Sequence, residues 1–418
     1  MSLSAFTPYL QRIARNPHTT PDVSAAALPG AAVGAVEATA ICPLRLVYLA
    51  TEDWYFLLHR LPMARAAKAA GYDVHVITRI NREQDRKAIE AEGFVVHPAD
   101  LARGSRRPDR LLAAARRVRA LYLAIRPDLV HHVALQGAVV GALAGTGLRL
   151  PTVNGLTGLG TLFTSDAGVV SRLVRAALPA LLDRACSLTT VENRDDRVLL
   201  AAAGVSPARI VAFPGSGVDT DRLTPLPEPE GPPTFAYVGR MLDDKGVRTL
   251  MSAWRSLHAA GQAPHLLLAG TPDPSNSTSI PEAELRAFAQ LPGVTWLGHV
   301  SDIRAVWAAA HVAVLPSRRE GLPVSLLEAA ACGRPLLATD VPGCREVARA
   351  GVNALLVPAD DPAALAAAVQ RLAADPDLRR TLAAQSRPLV EAQFSAAIVG
   401  REIVALYERV GGLRRPRP

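Results

Sequence analysis

Two carboxylates eight positions apart, Glu320 and Glu328, stand in the stretch Leu315–Gly333, LPSRREGLPVSLLEAAACG, across what reads as a strand-to-helix junction. Gly321 allows close backbone approach, and Pro323 suits the first turn of a helix. Free amides at such a helix start would face a diphosphate or a transferring sugar, and Glu328 would lie about 8 Å further along at about 1.5 Å rise per residue. One carboxylate could then read sugar hydroxyls and the other a ribose. The plainer alternative is a surface acid before a helix and a second acid in its middle.

A second loop, Tyr237–Gly246 (YVGRMLDDKG), carries Arg240 and Lys245. The chain has only three lysines, Lys68, Lys87 and Lys245, among 46 basic residues, so a lysine here hints that a compact ammonium is wanted. Two fixed cations can neutralise the charge that builds on a departing nucleoside diphosphate without a metal. Asp219-Thr220-Asp221 spells a DxD run, but it precedes a proline-rich stretch and reads as turn and capping acids, as do Asp243-Asp244 and Asp360-Asp361. No metal ligand and no cofactor are expected.

These loops need strands to hold them. From Leu44 onward, apolar runs alternate with helical stretches: Leu44–Ala50, Val74–Thr78, Phe94–His97, Asp128–Val133, Pro151–Asn154, Ser187–Val191 and Ile210–Phe213. A second series follows at Thr234–Gly239, His265–Ala269, Val294–Leu297, His311–Leu315, Pro335–Thr339 and Ala354–Val357. Such alternation predicts an α/β chain with two doubly wound parallel sheets, whose ligands bind beyond the carboxyl ends of the strands. Pro225–Pro233 (PLPEPEGPP) can be neither helix nor central strand and is placed as a linker. The predicted organisation is a poorly ordered extension over 1–43, domains at 44–224 and 234–392, the linker 225–233 between them, and a closing helix and basic tail at 393–418.

Composition agrees with this plan. The 418 residues are 49% hydrophobic and only 5% aromatic, a balance that suits helices packed on buried parallel strands. The net charge of +8 is uneven, with 25 Lys/Arg against 18 Asp/Glu in residues 1–220 and 21 against 20 thereafter. Four cysteines without paired spacing point to a reducing, cytoplasmic setting. Val133–Leu148 is interrupted by Gln136, Thr146 and glycines and reads as a buried helix, not a membrane span. No secretory signal and no nucleic-acid motif are read.

Glu320 and Glu328 with their GLP and EA neighbours, the GR…KG loop, PGSGVDTDRLTP at Pro214–Pro225 and GCREV…NALLV at Gly343–Val357 together resemble family 4 of the retaining nucleotide-sugar glycosyltransferases. The resemblance covers residues 44 to about 410. It implies the GT-B fold, two facing Rossmann-like domains with the nucleotide sugar held mainly by the second and the acceptor by the first. It places the diphosphate at Arg240 and Lys245 beside Gly239, the donor sugar at Glu320, the ribose at Glu328, and the Gly321, Leu322 and Pro323 backbone nearby. In the first domain TEDWYFLLHRL (51–61), VHHVALQG (130–137) and NGLTGLGTLFT (154–164) are similar to transferases that extend oligosaccharides on undecaprenyl diphosphate, although Gln136-Gly137 stands where that group has Lys-Pro.

In the same domain His132 ends a strand pattern, where an imidazole could orient the donor sugar or the acceptor hydroxyl, or simply be packed and hydrogen-bonded. His131 should point to the opposite face. The glycine-rich loop with Gly155, Thr157 and Gly158 could cradle an acceptor diphosphate. Eight arginines lie between Arg103 and Arg126, with Leu111, Ala115, Val118, Tyr122 and Ile125 on one helical face. That helix either packs on the sheet with its arginines solvated or offers a patch to the inner membrane leaflet. The expected reaction is transfer of a sugar, an N-acetylhexosamine being one candidate, from a UDP-sugar to a lipid-linked saccharide. A UDP-N-acetylglucosamine 2-epimerase and a noncatalytic scaffold of a polysaccharide assembly complex are the alternatives.

Overall fold

Strands buried on both faces are near-continuous apolar runs, and each of the thirteen runs forms a parallel strand in the computed structural model. The structure describes residues 43–101, 108–159, 169–184 and 186–412. The extension 1–42, Arg106, Arg107, Gly160 and the basic tail 413–418 lie outside the described residues.

The first sheet takes β1 (Arg45–Leu49), α1 (Asp53–His59), α2 (Leu61–Ala69), β2 (Asp73–Thr78), α3 (Glu83–Ala91), β3 (Val95–Pro98), α4 (Pro108–Ile125), β4 (Leu129–Val133), α5 (Ala134–Ala144), β5 (Thr152–Leu156), α6 (Val169–Leu182), β6 (Ser187–Val191), α7 (Arg194–Ala202) and β7 (Ile210–Ala212). Its strand order is β3-β2-β1-β4-β5-β6-β7.

The second sheet takes β8 (Thr234–Val238), α8 (Val247–Ala259), β9 (His265–Ala269), α9 (Glu282–Phe288), β10 (Val294–Gly298), α10 (Ile303–Ala309), β11 (Val312–Leu315), α11 (Val324–Ala331), β12 (Leu336–Thr339), α12 (Pro342–Val347), β13 (Ala354–Val357), α13 (Pro362–Ala374) and α14 (Pro376–Gln393). Its order is β10-β9-β8-β11-β12-β13. Residues 225–233 hold no regular element, and Arg334 and Arg379 tie them to the second sheet through the Pro227 carbonyl and Glu228.

The last helix, α15 (Ala396–Gly411), leaves the second sheet and returns to the first. Val399, Ile403, Leu406 and Tyr407 enter the first sheet's core. The outgoing and returning chains meet where the Val218 N–H donates to the Phe394 carbonyl and the Ala396 N–H to the Val218 carbonyl, both at 2.8 Å. Tyr407 fixes the helix: its hydroxyl lies 2.7 Å from the Tyr48 hydroxyl and 2.6 Å from His131 Nδ1, all fully buried.

The arginine-rich α4 buries Ala114, Ala115, Val118, Tyr122 and Ile125 against the sheet. Arg119 donates to the Ala144 and Thr146 carbonyls at the end of α5, and Arg117 pairs with Asp100 at 3.2 Å. No helix among the described residues is long and apolar enough to cross a membrane.

Tyr407→Phe strands two buried polar partners, at about 1–3 kcal/mol for each group left unsatisfied. A loss of about 2 kcal/mol is expected, read in urea as a lower midpoint with an unchanged slope; an unaltered midpoint would show that the hydroxyl does not anchor α15.

Candidate active site

In each sheet the strand order reverses beside the first strand of the domain: β1 lies between β2 and β4, and β8 between β9 and β11. Loops leaving two such strands diverge and open a crevice at the carboxyl edge. In the second sheet those loops are 239–246 after β8 and 316–323 after β11, and they carry Arg240, Lys245 and Glu320.

The structure brings Lys245 and Glu320 into direct contact. Lys245 Nζ sits 2.7 and 2.6 Å from the two carboxylate oxygens, and Ser317 Oγ donates to Oε1 at 2.6 Å. Thr339 Oγ1 in turn donates to the Ser317 carbonyl. The Glu320 side chain is 7% exposed and that of Lys245 24%, so the carboxylate is nearly desolvated and needs its counter-charge.

Backbone closeness fixes the pair. Gly246, at φ +72°, is the left-handed residue that opens α8, and any side chain there would run into the Pro316 carbonyl. Gly343, in the first turn of α12, lies so close beneath the Glu320 and Gly321 carbonyls that a Cβ could not fit.

Arg240 reaches Asp273 at 2.8 Å from a more open position, 41% exposed. The Gly239 N–H is committed to the Ala269 carbonyl at 3.0 Å, so this glycine offers the site only its carbonyl and its lack of a side chain. Pro323 is the N-cap of α11, one position earlier than the first-turn placement expected from sequence, and its carbonyl receives the Leu326 and Leu327 N–H groups. Leu322 is buried against Gly215. Glu328 is half-buried on α11; burial pushes its carboxyl up to about 7, with only Arg222 opposing the shift. Among the described residues no hydrogen-bond donor reaches that carboxylate.

On the first sheet the expectations divide. Thr157 and Gly158, just past β5, face the second domain: a Cβ on Gly321 would come within 2.8 Å of the Thr157 carbonyl, and one on Gly158 within 3.4 Å of Gly321 Cα. Gly155 does not join them. It is a buried residue inside β5, packed on the His131 ring, so it cannot contribute to a phosphate-cradling loop. His132 is likewise corrected. Its Nδ1 lies 2.8 Å from Asn154 Oδ1 and its Nε2 3.1 Å from the Tyr122 hydroxyl, it is 1% exposed, and α5 covers it at Gly141. Burial first, and then Arg184, takes its pKa to about 4 despite the Asn154 bond. A strand covered on both faces has no open side at this position. Asp219 closes a turn by accepting from the Asp221 and Arg222 N–H groups.

The structure adds first-domain residues to which motif reading gave no individual role. Glu192 and Asn193 follow β6, His59 ends α1, Arg60 separates α1 from α2, and Ser216 follows β7. Asn193 Nδ2 donates to the Gly321 carbonyl at 3.1 Å, Arg60 lies 3.7 Å from Glu192, and His59 Nδ1 is 3.2 Å from Ser216 Oγ. Burial, with Arg60, Lys245 and Arg240 adding to it, drops His59 to about 3 and keeps its imidazole neutral. The strand-end rule pointed at 192–193, since the β6 run ends at Val191.

Two family profiles match the chain, one in each domain. The one described as "Glycosyl transferase 4-like" matches residues 45–192, and "Glycosyl transferases group 1" matches residues 232–375. The chain belongs to the group 1, family 4-like glycosyltransferases. It is 32% identical over 41% of its length to the capsular polysaccharide biosynthesis glycosyltransferase CapM of Staphylococcus aureus, of which the match spans 45%. The chain thus spans about half the length of the first relatives that it matches. To the N,N'-diacetylbacillosaminyl-diphospho-undecaprenol α-1,3-N-acetylgalactosaminyltransferase of Campylobacter jejuni it is 24% identical, over 88% of this chain and 99% of that one. Among solved structures, Anabaena HepE in complex with UDP-glucose superposes with a TM-score of 0.71 at 18% identity, over 88% of this chain and 100% of that one. That likeness shows the GT-B fold.

Glu328 carries a sign-definite pH effect. Its folded pKa of about 7 lies above the ordinary value of about 4.3, so its contribution to stability is present at low pH and is lost as pH rises through 7. Glu328→Gln should therefore gain melting temperature relative to the parent protein between pH 5 and pH 8. A difference that does not change with pH would mean that the carboxyl ionises as freely as one in water.

Proposed function

We propose that this protein is a retaining glycosyltransferase that moves a sugar from a UDP-sugar to a saccharide on undecaprenyl diphosphate, in surface polysaccharide or glycan assembly. The observation that carries the reading is the Lys245–Glu320 pair beside Arg240, at the strand-order reversal of the second sheet. A nucleoside diphosphate brings the anion that Lys245 and Arg240 can share with their carboxylates. Glu320 then faces the sugar's hydroxyls, and the unsatisfied Glu328 carboxylate meets those of the ribose. Support for the donor comes from the UDP-glucose complex of HepE, and for the acceptor from the undecaprenol-linked substrate named for the Campylobacter enzyme.

In this reading the acceptor hydroxyl attacks the anomeric carbon on the face from which the diphosphate departs. Positioning and charge stabilisation, with no metal, supply the catalysis. The donor sugar proposed is an N-acetylhexosamine. The setting proposed is cytoplasmic, peripheral at the inner leaflet, with the outer face of α4 against the lipid. There Leu112 and Leu123 are 49% and 55% exposed next to the exposed Arg110 and Arg116.

A thermal-shift screen of UDP-, GDP- and ADP-sugars with and without chelator tests the donor, because a ligand of the folded state raises its stability. A shift with UDP-sugars that survives chelator is expected; a shift with GDP- or ADP-sugars alone overturns the base. Lys245→Ala should lower turnover by about 10²-fold or more. Glu320→Ala should impair transfer more than UDP affinity, and Glu328→Ala should weaken UDP itself; the reverse pattern would exchange their roles. For the membrane, wild-type protein should sediment with phosphatidylglycerol vesicles at low salt, and Arg110→Gln with Arg116→Gln should release it. Vesicles that never retain the wild type remove the peripheral assignment.

A further inference from the structure

The first domain presents its own carboxylate to the site, opposite the Lys245–Glu320 pair. Glu192 stands at the carboxyl end of β6 with its side chain 11% exposed, and a Cβ on Gly321 would come within 2.7 Å of its Oε2. It therefore lies against the residue that follows Glu320. Glu320 is satisfied on both oxygens by Lys245 and again by Ser317. Glu192 is not: its nearest cation, Arg60 Nη2, is 3.7 Å away, beyond hydrogen-bond distance. Among the described residues no donor closes on the Glu192 carboxylate. Arg60, 2% exposed, keeps a buried Nε without a partner and spends one Nη on the His59 carbonyl at 2.8 Å.

The groups around Glu192 are those that sugars bind. Tyr55 packs its ring at 4.3 Å on His59 and donates its hydroxyl to Thr157 Oγ1 at 2.8 Å. His59 meets Ser216 Oγ at 3.2 Å. An aromatic face, a neutral imidazole, two hydroxyls and a carboxylate thus converge on the first-domain side, while the two diphosphate-binding cations stand on the other.

We propose that Glu192 accepts a hydrogen bond from the attacking hydroxyl of the acceptor sugar, with Arg60 holding the carboxylate in place and His59, Ser216 and Thr157 lining the acceptor-sugar subsite. This rests on the glycosyltransferase reading and names an acceptor-orienting residue for it. Glu192 receives only a hydrogen bond; the bonds made and broken are those of the transfer. Burial first, against the opposing pull of Arg60, with Asp196 and Glu320 adding to the rise, lifts its pKa to about 7. A carboxylate so poorly compensated gains from a hydroxyl donor.

The experiment separates the two layers. UDP affinity is measured by calorimetry on the wild type, Glu192→Gln and Glu192→Asp, and transfer from UDP-N-acetylglucosamine and UDP-glucose is followed with p-nitrophenyl glycosides as acceptors. The Gln variant should raise the acceptor KM or lower kcat/KM for acceptor by about 10-fold or more, while its UDP Kd and donor KM stay within two-fold. The Asp variant should recover part of the loss. Equal losses on donor and acceptor, or unchanged transfer, overturn the assignment of Glu192. Wild-type protein that binds UDP yet transfers to no glycoside overturns the acceptor subsite alone, whereas failure to bind UDP overturns the donor reading beneath it.

Discussion

A nearly desolvated carboxylate held by one ammonium is the interaction on which the rest of the site depends. At 7% exposure the Glu320 side chain is almost out of water, and Lys245 touches both of its oxygens while Ser317 makes a third contact. Pairs of this kind contribute little net stability, because Coulomb gain and desolvation nearly cancel. What they give is position. An arginine fork would ask for two parallel contacts in one plane, whereas an ammonium can be shared with an incoming anion without turning a planar group. Arg240, open to solvent and paired with Asp273, supplies the second cation under milder constraint.

That pair sits where the carboxyl edges of the two sheets meet. Gly246 under Pro316 locks the β8 loop to the β11 loop, and Gly343 under Glu320 and Gly321 locks the β11 loop to α12, so the loop that carries Glu320 has little freedom of its own. The first domain closes on the same loop through Asn193 on the Gly321 carbonyl, and α7 reaches α12 through Arg345 and Asp195 at 3.3 Å and through the Arg194 N–H on Glu346 at 3.1 Å. The return of α15, fixed by Tyr407, means that the chain passes between the sheets twice, with the two passages hydrogen-bonded to each other at Val218.

What was legible in the sequence was whatever is local. Central parallel strands covered on both faces must be apolar runs, and the half-exposed edge strands β3 and β10 keep enough of that pattern that all thirteen could be read one by one. Arg240, Lys245 and Glu320 could be found because each lies within a few residues of a strand end, with glycines marking the close approaches. The return of α15 could not, since nothing within residues 396–411 says that an amphipathic helix belongs to the other sheet. Its partners, Tyr48 and His131, are hundreds of positions away.

The contrast between His132 and Glu192 shows where strand-end reasoning stops. Both follow or end a strand of the same sheet, and a rule based on position alone treats them alike. His132 is still inside β4, with α4 supplying Tyr122 on one side, β5 supplying Asn154, and the small Gly141 letting α5 press down on the ring. Its nitrogens are spent before any ligand arrives. Glu192 is one residue beyond the end of β6, where the covering helix has not yet begun, and among the described residues the nearest cation, Arg60, stands 3.7 Å off. The difference is two steps relative to the strand end, but it separates a residue whose hydrogen bonds are all made within the fold from one whose carboxylate lacks a donor among the described residues. Only coordinates can tell the two apart, because the partners that satisfy the histidine and fail the carboxylate come from four different elements.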